Sequence, residues 1–219
     1  MRSSAWVYSG WAAGLLLVGC AHHPSPAERG GPALAVPSAA ARVDVDGDAN
    51  DPAWTGSPGP ARTGPFAAAS GAPAVPHTEA RFVWAREGLY VLLYAADDDV
   101  HARHDGVDSF RLSFTRGGDE FSIDVSAAGE RTERRRRSDG ALDGAWQSGA
   151  RIASEVEGTV DDPGDEDEEW VVEMAVPFAT LGMRGERGEA VGLSVSRHEV
   201  ARGRPDSWSA WERHRLVLE

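Results

Sequence analysis

The sequence predicts an all-β fold: an antiparallel β-sandwich, two sheets face to face in a jelly-roll or immunoglobulin-like arrangement. Three observations carry the prediction. Short apolar runs, alternating or continuous, recur along the chain between turns rich in glycine and proline. No segment shows an amphipathic helical pattern of about 12 residues or more. The β-helix-β alternation that marks a parallel sheet is missing as well.

The strands follow in order. Residues 81–84 (Arg-Phe-Val-Trp) and 89–95 (Leu-Tyr-Val-Leu-Leu-Tyr-Ala) flank Glu87-Gly88 and read as a hairpin. Its second strand is apolar on both faces, as a central sandwich strand should be. In residues 109–115, Phe110, Leu112 and Phe114 face one way and Arg111 and Ser113 the other. Gly117-Gly118 turns the chain, and residues 120–125 return with Phe121, Ile123 and Val125 aligned. Residues 150–156 alternate weakly through Ile152, Ser154 and Val156. In residues 170–176, Trp170, Val172, Met174 and Val176 share a face, and Pro177 ends the strand by removing a ladder donor. Glu173 falls on the opposite face, which predicts solvent or an arginine as its neighbour. Residues 178–181 read as one helical turn stopped by Gly182, and residues 191–195 and 215–218 as closing strands. Two charged runs, the arginines at 134–137 and the acidic residues 161–169 around Pro163-Gly164, read as solvated loops.

Ahead of these strands, residues 5–18 are apolar, follow Arg2, and run into Leu17-Val18-Gly19-Cys20. The run is shorter than the roughly 20 residues of a membrane-spanning helix. It resembles a bacterial lipoprotein leader, with residues 1–19 removed and Cys20 lipidated. Residues 20–41, rich in Pro, Ala, Gly and Ser, read as a flexible tether, leaving residues 42–219 for one domain. Ala21 after Cys20 fits outer-membrane sorting, so the expected location is the bacterial cell envelope, lipid-anchored. A single cysteine leaves no internal disulfide. The net charge of −13 disfavours a nucleic-acid partner, and every basic residue is arginine.

Nucleophile-elbow, Walker, dinucleotide-binding, HExxH and CxxC patterns are absent. Glycoside hydrolysis needs two carboxylates across a cleft, and nothing singles out two of Asp108, Asp124, Glu155 and Glu173. The chain therefore reads as non-catalytic. Tryptophan is the more telling residue, because sugar rings stack apolar C–H faces on indole. Trp54, Trp84 and Trp170 lie in apolar patterns and read as core. Trp208 and Trp211 lie in polar Asp-Ser-Trp-Ser-Ala-Trp-Glu and are the candidates for ligand stacking or for capping the sandwich end. Asp46, Asp48 and Asp51, together with Asp97 and Asp99, form oxygen-rich groups of the kind calcium prefers. Asp46-Gly47 reads equally well as a turn whose aspartates cap backbone donors.

Several stretches, in order, resemble the carbohydrate-binding module family 9 domain and its DOMON-like relatives. They are Val-Asp-Gly-Asp-Ala-Asn-Asp-Pro-Ala-Trp (45–54), the hairpin around residue 88, Asp-Ser-Phe-Arg-Leu (108–112), Trp-Val-Val-Glu-Met-Ala-Val-Pro-Phe (170–178), residues 192–197 and Ser-Trp-Ser (207–209). The resemblance covers residues 42–219. It implies a β-sandwich that binds polysaccharide or glycan ends, with structural calcium in some members. Among matched positions it points to Trp208, Trp211, Arg197 and Asp108 as ligand contacts. Departures are equally visible. The family's first stacking tryptophan falls near Asp105, Arg111 replaces a motif glutamate, and Ser122 stands where sugar-binding members can have arginine. The expected function is a surface-tethered domain binding a glycan or cell-envelope component. The alternatives are a structural or protein-interaction lipoprotein with a degenerate sugar site, and a cofactor-binding DOMON-like module.

Overall fold

The structure is a computed structural model that describes residues 32–102, 106–162, 164, 167–200 and 208–219. Its elements in chain order are β1 (Ala33–Val36), the one-turn helix α1 (Pro52–Thr55), β2 (Ala61–Arg62), β3 (Ala67–Ala68), β4 (Thr78–Ala85) and β5 (Gly88–Ala95). Next come β6 (Ser109–Arg116), β7 (Asp119–Ser126), β8 (Arg131–Arg136), β9 (Leu142–Asp143), β10 (Arg151–Glu157) and β11 (Glu169–Pro177). A 3₁₀ turn (Phe178–Leu181), β12 (Ala190–His198) and β13 (Trp208–Leu218) complete the chain.

Two sheets result, so the antiparallel β-sandwich expected from periodicity is the fold. One sheet has eight strands in the order β1-β13-β12-β6-β7-β8-β9, with β3 also on β13; the other has five, β10-β11-β5-β4-β2. Their facing sides meet in one core. Phe110 of β6 lies 4.8 Å, centroid to centroid, from Trp170 of β11, and both are fully buried. Each such side chain contributes roughly 1.5–3 kcal/mol by leaving water.

The double-sided apolar run of β5 has a specific cause. Leu89, Val91 and Leu93 enter the core between the sheets, while Tyr90 and Leu92 enter a second cluster with Val43, Trp54, Val83 and Val171. The segment before α1 therefore covers the outer face of the five-stranded sheet. No comparable segment covers the outer face of β12, β6 and β7 among the described residues, where Arg111, Ser113, Ser194 and Ser196 retain exposure.

Three expectations need correction. Residues 33–36 are not tether: β1 pairs in parallel with β13, Ala33 opposite Arg215 through Val36 opposite Leu218, and Val36 is fully buried. Four residues are too few to show a period, so the strand is masked by its Ala- and Pro-rich setting. The arginine run is not a loop: its first three residues are the second half of β8, antiparallel to β7 with Ser122 opposite Arg134. Arginine stems do there what apolar side chains do elsewhere, Arg135 lying 5.5 Å over the Phe121 ring. Glu173 does not face solvent either; it is fully buried, under the segment that caps the five-stranded sheet. The helical turn before Gly182 is found as expected, with Gly182 left-handed at φ 64°. Cys20, the leader and the first part of the tether lie outside the described residues.

Candidate functional site

The open face of the eight-stranded sheet carries a groove of about 680 Å³, within the range of small-molecule sites. Trp208, Trp211, His214, Ser196, Arg111 and Ala68 are among its lining residues. Local strand chemistry sets the two rings. Trp208 lies directly opposite His198, and their rings tilt together at 4.8 Å. It is 44% exposed, the most exposed tryptophan among the described residues. Trp211 and His214 are three apart, so a regular strand would send them to opposite faces. A bulge sets them against Val195 and Leu193, which are only two apart. The rings then stack at 3.6 Å and 8°. Burial holds the His214 imidazole below its ordinary pKa, so it supports Trp211 as a neutral ring at pH 7. Trp211 packs partly on the core and partly on the groove. Both tryptophans thus line the groove, and Trp211 also packs against the core.

Arg111 lies at the inner end of this groove and is held by Asp124 of β7, whose other oxygen accepts from Arg134 Nη1 at 2.6 Å. The arginine that replaces the family's glutamate thus sits on the ligand-accessible face.

Two expected ligand contacts are elsewhere. Arg197 is 1% exposed and Asp108 is 0% exposed, so neither can touch a ligand on the surface. Arg197 shares the inward face of β12 with Val191, Leu193 and Val195. It pairs with Asp97 through Nη2 and donates from Nη1 to Thr78 Oγ1 at 3.3 Å, with Asp108 4.0 Å away. Asp108 accepts from the backbone N–H groups of His101 (3.0 Å) and Val200 (2.5 Å). Burial pushes its carboxyl up, against those two N–H donors and Arg197. This network ties β12 to the ends of β5 and β6 and is structural.

The aspartates expected to attract calcium are engaged in turns or in that network. Asp46 Oδ1 accepts from the Asp48 N–H at 3.1 Å, Asp48 Oδ1 from Asn50 at 2.8 Å, and Asp51 Oδ2 from Asp44 at 2.9 Å. Asp97 is spent on Arg197 and on the Asp99 N–H at 3.2 Å, and Asp99 lies 3.3 Å from His101 Nε2. Among the described residues, no group of three or more His, Cys, Asp or Glu side chains is arranged to hold a metal ion. The capping-turn reading of Asp46-Gly47 is the one the geometry supports.

Sequence reasoning missed what Glu173 does. Its Oε1 accepts from Trp54 Nε1 at 2.6 Å, and its Oε2 from the N–H groups of Asp46 (3.0 Å) and Gly47 (2.9 Å). The Asp-Gly…Trp motif and the Trp-Val-Val-Glu motif are therefore two halves of one joint. Gly47 is needed there: its φ is +100°, and a Cβ would press on Glu155 and Ser154 at 3.3 Å.

Fold and groove together describe a two-sheet β-sandwich with an aromatic groove on its open face. No family model matches the chain, and no curated protein matches it either. Solved structures do. A candidate carbohydrate-binding protein from Bacteroides uniformis superposes with a TM-score of 0.58 at 12% identity, over 86% of this chain and all of that one. A family 9 carbohydrate-binding module from Caldicellulosiruptor kristjanssonii, in complex with cellotriose, gives 0.58 at 12% identity over 85% and 93%. A family 9 module from the same organism in complex with glucose gives 0.56 at 13% identity over 84% and 95%. The chain has a family 9-like fold; at such identities the likeness is one of fold alone.

Proposed function

We propose that this protein is a non-catalytic glycan-binding module, held at the bacterial cell envelope by a lipid on Cys20. The observation that carries the reading is the open groove with Trp208 and Trp211 on it, on the sandwich face that no other segment covers among the described residues. Two indole rings beside Arg111, Ser196 and Glu212 supply the pairing a sugar needs, apolar faces for C–H groups and polar edges for hydroxyls. The sugar-bound state of two structurally similar modules supports the same reading. A non-catalytic role fits the carboxylates. Asp108 and Glu173 are buried, Asp124 is held by two arginines, and among the described residues Glu212 is the one carboxylate lining the aromatic groove. Glycoside hydrolysis by a carboxylate pair would need a second carboxylate across the groove, and none lines it among the described residues.

Titration of the purified chain against a glycan array, followed by calorimetry on the hits, tests the reading. Trp211→Ala is expected to weaken binding at least tenfold, about the loss of one good stacking contact. If no glycan binds at millimolar concentration, or if Trp211→Ala and Trp208→Ala bind like the native chain, the groove is not a sugar site. The protein-interaction reading then takes its place.

The anchor has a separate test. Cys20→Ser is expected to abolish metabolic labelling by a fatty-acid analogue and to release the protein from membranes. Labelling that persists in the variant contradicts the lipid assignment.

A further inference from the structure

The aromatic groove does not end at Arg111. The same residue lines a second, polar depression of about 210 Å³, whose other walls include Ser113, Ser122, Arg134, Arg136 and Leu142. At its opposite end, Trp208 separates the aromatic groove from a third depression of about 390 Å³ that reaches Val75. Trp208, Leu142 and Val75 are the large hydrophobic side chains left exposed among the described residues, and all three lie along this one path. The path crosses β13, β12, β6, β7 and β8 in turn. Four inter-strand spacings make that about 19 Å, room for several sugar rings end to end.

The polar limb has a built floor and charged walls. Ser194, Ser113 and Ser122 stand directly opposite one another on β12, β6 and β7, and Ser122 faces Arg134 on β8. Small hydroxyl side chains in one row make a shallow trough. Beside it, Asp124 is 18% exposed and holds Arg111 and Arg134, whose side chains are 44% and 52% exposed. The carboxylate is the more buried group and the two guanidinium groups the more exposed. Arg136, 55% exposed, adds a third, with Glu120 4.0 Å away. A ligand lying in the trough therefore meets oriented guanidinium N–H groups, the donors best matched to a planar carboxylate. The chain's net charge of −13 does not forbid this. Charges more than about 8 Å away are largely screened at physiological ionic strength, and the nearest groups decide.

We propose that the site takes an extended acidic glycan, one bearing uronic acid residues. One ring stacks at Trp208 and Trp211, and a carboxylate further along the same chain lies on Arg111, Arg134 and Arg136. This inference rests on the glycan-binding reading above and narrows its ligand class.

The test is calorimetric titration of the purified chain with a panel of oligouronates, each paired with its carboxyl-reduced, neutral counterpart. The expected result is a uronate that binds at least tenfold tighter than its neutral counterpart, the scale of one charge-assisted contact. That ratio should shrink at high salt and fall to about one in Arg134→Gln/Arg136→Gln, two positions outside the aromatic limb. Thermal melting of the variant establishes that it is folded. Equal or tighter binding of the neutral chains overturns the acidic-glycan proposal while leaving the sugar site intact. A uronate preference that survives the double substitution overturns it as well. No binding by any chain overturns the glycan reading itself, and tighter capture of a protein or peptide ligand on this face would have the same effect.

Discussion

Glu173→Ala is expected to cost about 4 kcal/mol of folding stability, measured by urea denaturation at neutral pH. The side chain is fully buried and its two oxygens satisfy three donors, the Trp54 indole and the backbone N–H groups of Asp46 and Gly47. Removing it orphans all three, and each buried donor without a partner costs roughly 1–3 kcal/mol. Trp54→Phe should lose less, about 1–2 kcal/mol, because it deletes one hydrogen bond and keeps most of the ring. Burial pushes the Glu173 carboxyl above its ordinary value of 4.5, against the donors that favour its charged form. A folded pKa above the unfolded one fixes the sign. The stability linked to this proton is complete below the unfolded value and is lost as pH rises through the folded one. The gap between native protein and Glu173→Ala should therefore be widest in mild acid and narrow toward neutrality. A gap that widens as pH rises would contradict the assignment.

Arg197→Met is expected to be comparably severe, about 3–5 kcal/mol, because it leaves buried carboxylates without their cation. Asp97 and Asp108 are 2% and 0% exposed, and the guanidinium also reaches Thr78 and lies 5.8 Å over the Phe110 ring. The loss should ease in acid, where the stranded Asp108, whose carboxyl burial already raises, can take up a proton. Arg197→Met combined with Asp97→Leu should recover part of the stability, since a buried pair replaced whole costs less than a pair cut in half. Urea denaturation at pH 5 and pH 7 checks both statements. A folded Arg197→Met protein should retain its glycan affinity. A variant that melts like the native chain yet fails to bind would return Arg197 to the ligand site.

The two networks show where the sequence was legible and where it was not. Period-two alternation in residues 109–125 and 170–176 named the core side chains, because each such side chain either faces the other sheet or does not. The same alternation placed Arg197 with Val191, Leu193 and Val195, so its burial was readable, had the spacing been weighed above residue type. Glu173 was harder. Its strand is covered on both faces, and alternation distinguishes faces only when one of them meets water. The covering segment is separated from it by 126 positions at Gly47, a pairing that spacing cannot reveal. The bulge that brings Trp211 onto His214 has no sequence mark of its own, yet it shapes the groove. The tryptophans themselves were legible as polar-context aromatics, whereas the arginine trough was hidden by reading β8 as a loop.

In the proposed function, sugar binds at Trp208 and Trp211 on the open face of the eight-stranded sheet. The most direct measurement follows the tryptophan indole N–H resonances by NMR during titration with a glycan hit. Internal controls are built in, because the Trp54, Trp84 and Trp170 indoles donate to Glu173, Glu219 and Ser154, away from the groove. Sugar in the groove should move the Trp208 and Trp211 signals while those three hold still. Movement confined to the controls, or none at all in the presence of bound sugar, would contradict it.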